Sequence, residues 1–173
     1  MTDVNQDHIE KETLVVAVYI PGHDPRVSTP LFDRTRKLLI EREGGRCWIS
    51  GQTAEESGHP LEAHHYPIER SFAEAVDWPR FANEARAGHY GPHAQAFDWA
   101  GFLAKSPIDP YLFVDDMTAN GLLLAKEFHT AADAGVHMIP HPMWIAQKFL
   151  KDGFKFSDYE IIHHPNQQPE PKP

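Results

Sequence analysis

The stretch Leu61-Glu62-Ala63-His64-His65-Tyr66-Pro67-Ile68 limits what this chain can fold into more than any other. It reads as a short apolar strand that ends on two adjacent histidines. Successive side chains of a strand leave on opposite faces, so the two imidazoles cannot serve the same purpose. A neutral imidazole carries one donor and one acceptor nitrogen, which lets one ring ligate a metal while the other faces a substrate. The plain alternative is that either ring is an ordinary half-buried residue, since the chain holds 12 histidines in 173 residues.

A second group of residues bears on that choice. Thr118-Ala119-Asn120-Gly121 is followed by Leu122-Leu123-Leu124 and then by Ala125 to Asp133. Asn-Gly marks a tight turn, and the residues after it read as the opening of a helix. His129 and Asp133 are four apart and would share one helix face, which suits two ligands of a single cation.

Taken in order, these residues are a histidine doublet on a strand, an asparagine nine positions before a histidine, and a ligand-type side chain four positions later. The order resembles the HNH, or ββα-metal, endonuclease family, over about residues 46–137 with a long insert inside it. The resemblance implies an α+β fold with a ββα-metal core, a helical insert at about 69–112, an N-terminal strand and a C-terminal helix. It also implies roles: His64 as a metal ligand, His65 as the general base, and Asn120 holding the loop and the base in register. The helix ligands fall on His129 and Asp133, with His137 a competitor for the last place. The implied cofactor is one divalent ion, Mg, Mn, Ni or Zn, and the implied partner is DNA. Small self-standing members of this appearance resemble those carried by phages and other mobile elements.

Many members of the family open both the hairpin and the helix with paired cysteines that hold a structural zinc. The matching positions here are Cys47, Ser50, Ala125 and Phe128. No structural zinc is therefore expected, and packing of Trp48, Ala125 and Phe128 is expected in its place. This departure leaves a rival reading, a catalytically degenerate HNH scaffold that binds nucleic acid or a protein partner. The net charge of −9 fits such a degenerate scaffold and argues against binding nucleic acid by broad electrostatic attraction, which rests on Lys and Arg. A cluster at Arg34, Arg36, Lys37, Arg42 and Arg46 offers a local basic face or simply a solvated helix surface.

The hydrolysis that the resemblance implies needs a base with a pKa near neutrality and a cation to accept charge on the departing 3′ oxygen. Imidazole meets the first need at His65. Two imidazoles and a carboxylate suit Zn, Ni, Mn or Co better than calcium, and magnesium where water completes its shell.

At 173 residues the chain fits one domain, placed at 13–164 between disordered ends at 1–12 and 165–173. The single cysteine excludes an intramolecular disulfide. There is no apolar run of about 18 residues and no apolar signal core at the N-terminus, so a soluble cytoplasmic protein without a membrane partner is expected. Residues 13–20 are β-branched and predict a buried strand. Ser28-Thr29-Pro30 predicts a capped helix through Glu43 that stops at Gly44-Gly45. Residues 46–52 and 61–66 read as a hairpin. The insert reads as a helix from 69 to 87 split near Pro79, a break at 88–93, and a short helix over 97–103. Residues 135–142 read as extended, 143–151 as a helix, and 156–164 as the segment that closes the fold.

Overall fold

The computed structural model describes residues 28–131 and 134–139 together with positions 141, 144 and 148. The predicted strand at 13–20, the segments at 143–151 and 156–164, and both chain ends lie wholly or largely outside the described residues.

The chain is mixed α and β, organised on a two-stranded antiparallel sheet. Strand β1 (Leu61–His65) pairs with β2 (Gly121–Ala125), and the register sets Leu61 opposite Ala125 and His65 opposite Gly121. Helix α7 (Lys126–Thr130) follows β2 without a break. This pairing corrects the sequence reading twice. The partner of β1 is β2 rather than residues 46–52, and residues 121–125 are a strand rather than the start of a helix. A short apolar run such as Leu122-Leu123-Leu124 carries no period that separates the two states, and tertiary packing decides between them.

The packing that decides is visible on both faces of β2, whose five residues are all buried. Leu123 faces Leu39 of α1 (Pro30–Arg42) and Met117. Leu122 and Leu124 face Cys47, Ile49 and Trp144. Each fully buried leucine is worth about 1.5–3 kcal/mol against exposure, so β2 is the most strongly held segment of the sheet. Residues 46–52 run beside it as turns and touch it through the Trp48 N–H, which donates to the Leu123 carbonyl at 2.7 Å. Trp48, Ala125 and Phe128, expected to pack in place of a zinc knuckle, all belong to the cluster around Cys47.

Helix α1 forms as its sequence predicts, and a short helix α2 (Ala54–Ser57) follows before β1. The Thr29 side chain caps the Phe32 N–H, Pro30 occupies the first turn, and Gly44 and Gly45 turn the chain away with φ of +60° and +64°. Gly121 is required opposite His65 because a Cβ there would collide with the Met117 carbonyl.

Residues 66–120 leave β1 and return to β2 as a helical insert with its own aromatic core of Trp78, Phe81, Trp99, Phe102 and Phe113. A 3-10 turn (Arg70–Ala75) precedes α3 (Trp78–Arg86), and Pro79 sits in the first turn of α3, so the run splits just before that proline. Helix α4 (Gly91–Gln95) forms where a break was expected, α5 (Trp99–Leu103) matches the short helix, and α6 (Tyr111–Val114) ends the insert. Residues 136–139 form turns rather than the extended segment expected there. No helix among the described residues is long and apolar enough to cross a membrane.

Asn120 closes the insert. It is fully buried, and its side chain donates to the carbonyls of Ile68 and Val114 and accepts from the Ile68 N–H, at 2.8, 3.0 and 2.9 Å. One amide thus ties both ends of the insert to the head of β2. Replacing it leaves two carbonyls and one N–H unpaired in the interior, each costing about 1–3 kcal/mol. Asn120→Ala is therefore expected to lower unfolding stability by at least about 3 kcal/mol, read as a fall in the urea midpoint; an unchanged midpoint would refute this role.

Candidate metal centre

The doublet splits as strand geometry requires. His64 lies on the face of β1 that meets α7, and its ring contacts those of His129 and His137 with centroids 5.2 and 5.0 Å away. His65 turns toward α1 and stacks on Phe32 at 5.7 Å. One nitrogen from each of His64, His129 and His137 falls within 4.8 Å of the others, the arrangement of three ligands around one ion.

Asp133, expected as the last ligand, lies outside the described residues. The premise that placed it beside His129 does not hold, because α7 ends at Thr130 and Ala131 leaves in an extended conformation with ψ of 143°. The chain then reverses. The Gly135 N–H donates to the Ala131 carbonyl at 2.9 Å and the Val136 N–H to the Phe128 carbonyl at 3.0 Å. A Cβ at Gly135 would strike the backbone of Ala131 and His129, so glycine permits the tight return that delivers His137. His137, the competitor for that place, is the third member of the cluster.

The cluster suits a metal on electrostatic grounds. Burial first, then the neighbouring imidazoles of His129, His137 and His65, push the His64 pKa down to about 3. His64 is therefore neutral near pH 7, the form that ligates. His129 Nδ1 is held by the Glu62 carboxylate at 2.8 Å, which leaves Nε2 for an ion. Carboxylate partners of this kind fix the orientation of a ligating ring and raise its basicity. Glu62 was not singled out from the sequence, although its place two residues before His64 puts it on the same strand face.

Beside the cluster is a cavity of about 270 Å³, walled by Thr29 and Phe32 on one side and by Glu69, Arg70 and Asp115 of the insert on the other. Asp115 is 1% exposed and joins three elements. It accepts from the Thr29 hydroxyl at 2.9 Å and from Arg70 Nε at 3.1 Å, while its own carbonyl accepts from the Thr35 hydroxyl. Burial works to raise its pKa, but His65, the Thr29 hydroxyl and the Arg70 guanidinium together hold it below the usual carboxylate value. His65 Nε2 stands 3.7 Å from Asp115 Oδ1, beyond hydrogen-bond reach, and is a buried nitrogen with no hydrogen-bond partner. Arg70 also lies over the Tyr111 ring at 4.8 Å. Asn120 meets neither the cluster nor the cavity through its side chain, whose bonds are all to backbone groups of the insert.

No protein-family model matches this chain, and no curated protein or solved structure matches it either.

The depressed His64 pKa sets a stability window. Between about pH 3 and the ordinary histidine value near 6.5 the unfolded chain holds a proton that the folded metal-free chain excludes. His64 therefore contributes no penalty above pH 6.5, and stability falls as pH drops below it, by up to about 1.4 kcal/mol per unit. Urea midpoints of the metal-free protein between pH 7 and 4 should fall less steeply in His64→Gln than in the parent; equal slopes would show that His64 is not the excluded proton site.

Proposed function

We propose that this protein is a metal-dependent endonuclease of the ββα-metal, or HNH, type that hydrolyses DNA phosphodiester bonds. The observation that carries the reading is the convergence of His64 from β1 with His129 from α7 and His137 from the turn beyond it, while His65, on the opposite strand face, lines the adjoining cavity. The succession of two antiparallel strands and a helix is the order of elements that this class uses.

The imidazoles of His64, His129 and His137 would hold Zn, Ni, Co or Mn, and that of His129 is already oriented by a carboxylate. A divalent ion held there would supply positive charge for the phosphate and for the departing 3′ oxygen. His65 takes the proton from the attacking water. Its Nε2 is turned to Asp115 and shielded, so Nδ1 is the nitrogen left for that proton, and the Asp115 carboxylate stabilises the imidazolium that results. As the water oxygen bonds to phosphorus, the bond to the 3′ oxygen breaks. Arg70, held by Asp115 and Tyr111 at the cavity wall, offers donors to a non-bridging phosphate oxygen.

A second reading keeps the ion and drops the chemistry. The net charge of −9 and the two carboxylates that line the cavity beside Arg70 favour a metal-holding module that docks on a protein.

Plasmid nicking separates the two. Metal-dependent nicking of supercoiled DNA is expected with Mg, Mn, Ni or Zn. His65→Ala should lower the rate about 10²–10⁴-fold, the usual worth of a general base, while calorimetry shows the ion still bound. His64→Ala should lose both activities. Tight metal binding without nicking, or nicking unchanged in His65→Ala, would overturn the nuclease reading in favour of the module.

A further inference from the structure

We infer that Glu69 is a fourth ligand of the metal centre, making it a three-histidine, one-carboxylate site. The inference deepens the proposed function only in its metal site, where a phosphate oxygen would enter as a fifth ligand, and does not depend on the hydrolysis. Glu69 is the residue just before the 3-10 turn that opens the insert, with an extended backbone at φ −63° and ψ 140°. That placement aims its side chain back at the strand it has just left. Its Oε1 stands 3.6 Å from His64 Nε2 and 3.9 Å from His137 Nδ1.

These distances are informative because of what ligand atoms do around one ion. Donors at about 2.0–2.1 Å from zinc in a tetrahedron stand about 3.4 Å from each other. An oxygen that only accepted a hydrogen bond from one ring would sit near 2.9 Å from that nitrogen and be turned from the other. Glu69 Oε1 instead stands off two of the three imidazoles at once, by nearly the spacing that co-ligands keep. No Lys or Arg among the described residues pairs with the Glu69 carboxylate. The side chain is 37% exposed, so it can swing toward the third imidazole, His129, at little cost in packing.

The two carboxylates at the centre then have different duties. Glu62 acts behind the ring of His129 and never meets the ion. Glu69 acts on the ion itself and lowers the net charge of the site. At the start of the insert, one residue before Glu69, Asn120 clamps the Ile68 backbone through both its N–H and its carbonyl. The clamp fixes the carboxylate's starting point.

Cobalt(II) added to the metal-free full-length protein tests this without reference to nuclease activity. The parent should show the strong visible d–d absorption of four-coordinate cobalt. Glu69→Gln should weaken that band toward the five- or six-coordinate form and raise the cobalt Kd about 10-fold or more. Glu62→Gln should weaken binding while leaving the coordination number, read from band intensity at saturation, unchanged. A Glu69→Gln spectrum and Kd equal to the parent's would overturn the assignment, as would a parent that binds no cobalt. A parent that gives the four-coordinate, Glu69-dependent spectrum yet nicks no DNA would sustain the ligand assignment and sink only the nuclease reading.

Discussion

The pairing of β1 with β2 is the interaction on which the rest depends. It joins two segments separated by the whole insert, and the entropy of closing so long a loop must be met before any contact rewards it. The reward comes from β2, buried on both faces between α1 and the cluster around Cys47. Register follows from that burial, because a slip of one residue would turn Leu122 and Leu124 onto the face that Leu123 occupies. The same register fixes His64 opposite Leu122 and His65 opposite Gly121. At the candidate metal centre, His64 takes its position from this ladder and His129 from the helix that continues β2.

Three polar hubs then convert a small sheet into a site. Asn120 commits both amide donors and its carbonyl oxygen to the two ends of the insert. Asp115 draws α1, the 3-10 turn and the end of α6 to one carboxylate. Arg42 donates to the carbonyls of Thr118 and Gly121 at 2.7 and 2.8 Å, which locks the head of β2 against α1. Each hub is a side chain satisfying backbone or charged groups that packing has removed from water, and an unmade bond at any of them is expensive. Stability and site geometry are therefore held by the same few residues.

The charge pattern complements the geometry. The chain is acidic, and the cavity beside the three imidazoles is lined by one guanidinium and two carboxylates. In our reading, attraction for a phosphate comes from the ion and Arg70 rather than from a basic surface. That arrangement keeps affinity local, tied to a single phosphate and to occupancy of the metal site. In the same reading, the carboxylates at Glu62 and Glu69 would offset a divalent charge that three imidazoles alone leave largely uncompensated.

What the sequence by itself determined is whatever depends on neighbours in the chain. The cap at Thr29, the stop at Gly44 and Gly45 and the split near Pro79 are local effects of side-chain oxygen, positive φ and a missing N–H, and each lies where the sequence puts it. The divergence of His64 and His65 is equally local, being a property of any strand. The apolar run at 121–125 could not be read, because without periodicity only the two faces it meets distinguish strand from helix. The third imidazole was named only as a competitor to Asp133: the end of α7 and the tight return at Gly135 decide that His137 meets His129. Asp115, Glu69 and Glu62 became part of the centre only through the sheet and the insert that closes on it. Tertiary structure alone decided which of 12 histidines and 25 carboxylates share a point in space, because chain separation says nothing about distance once a long loop has closed.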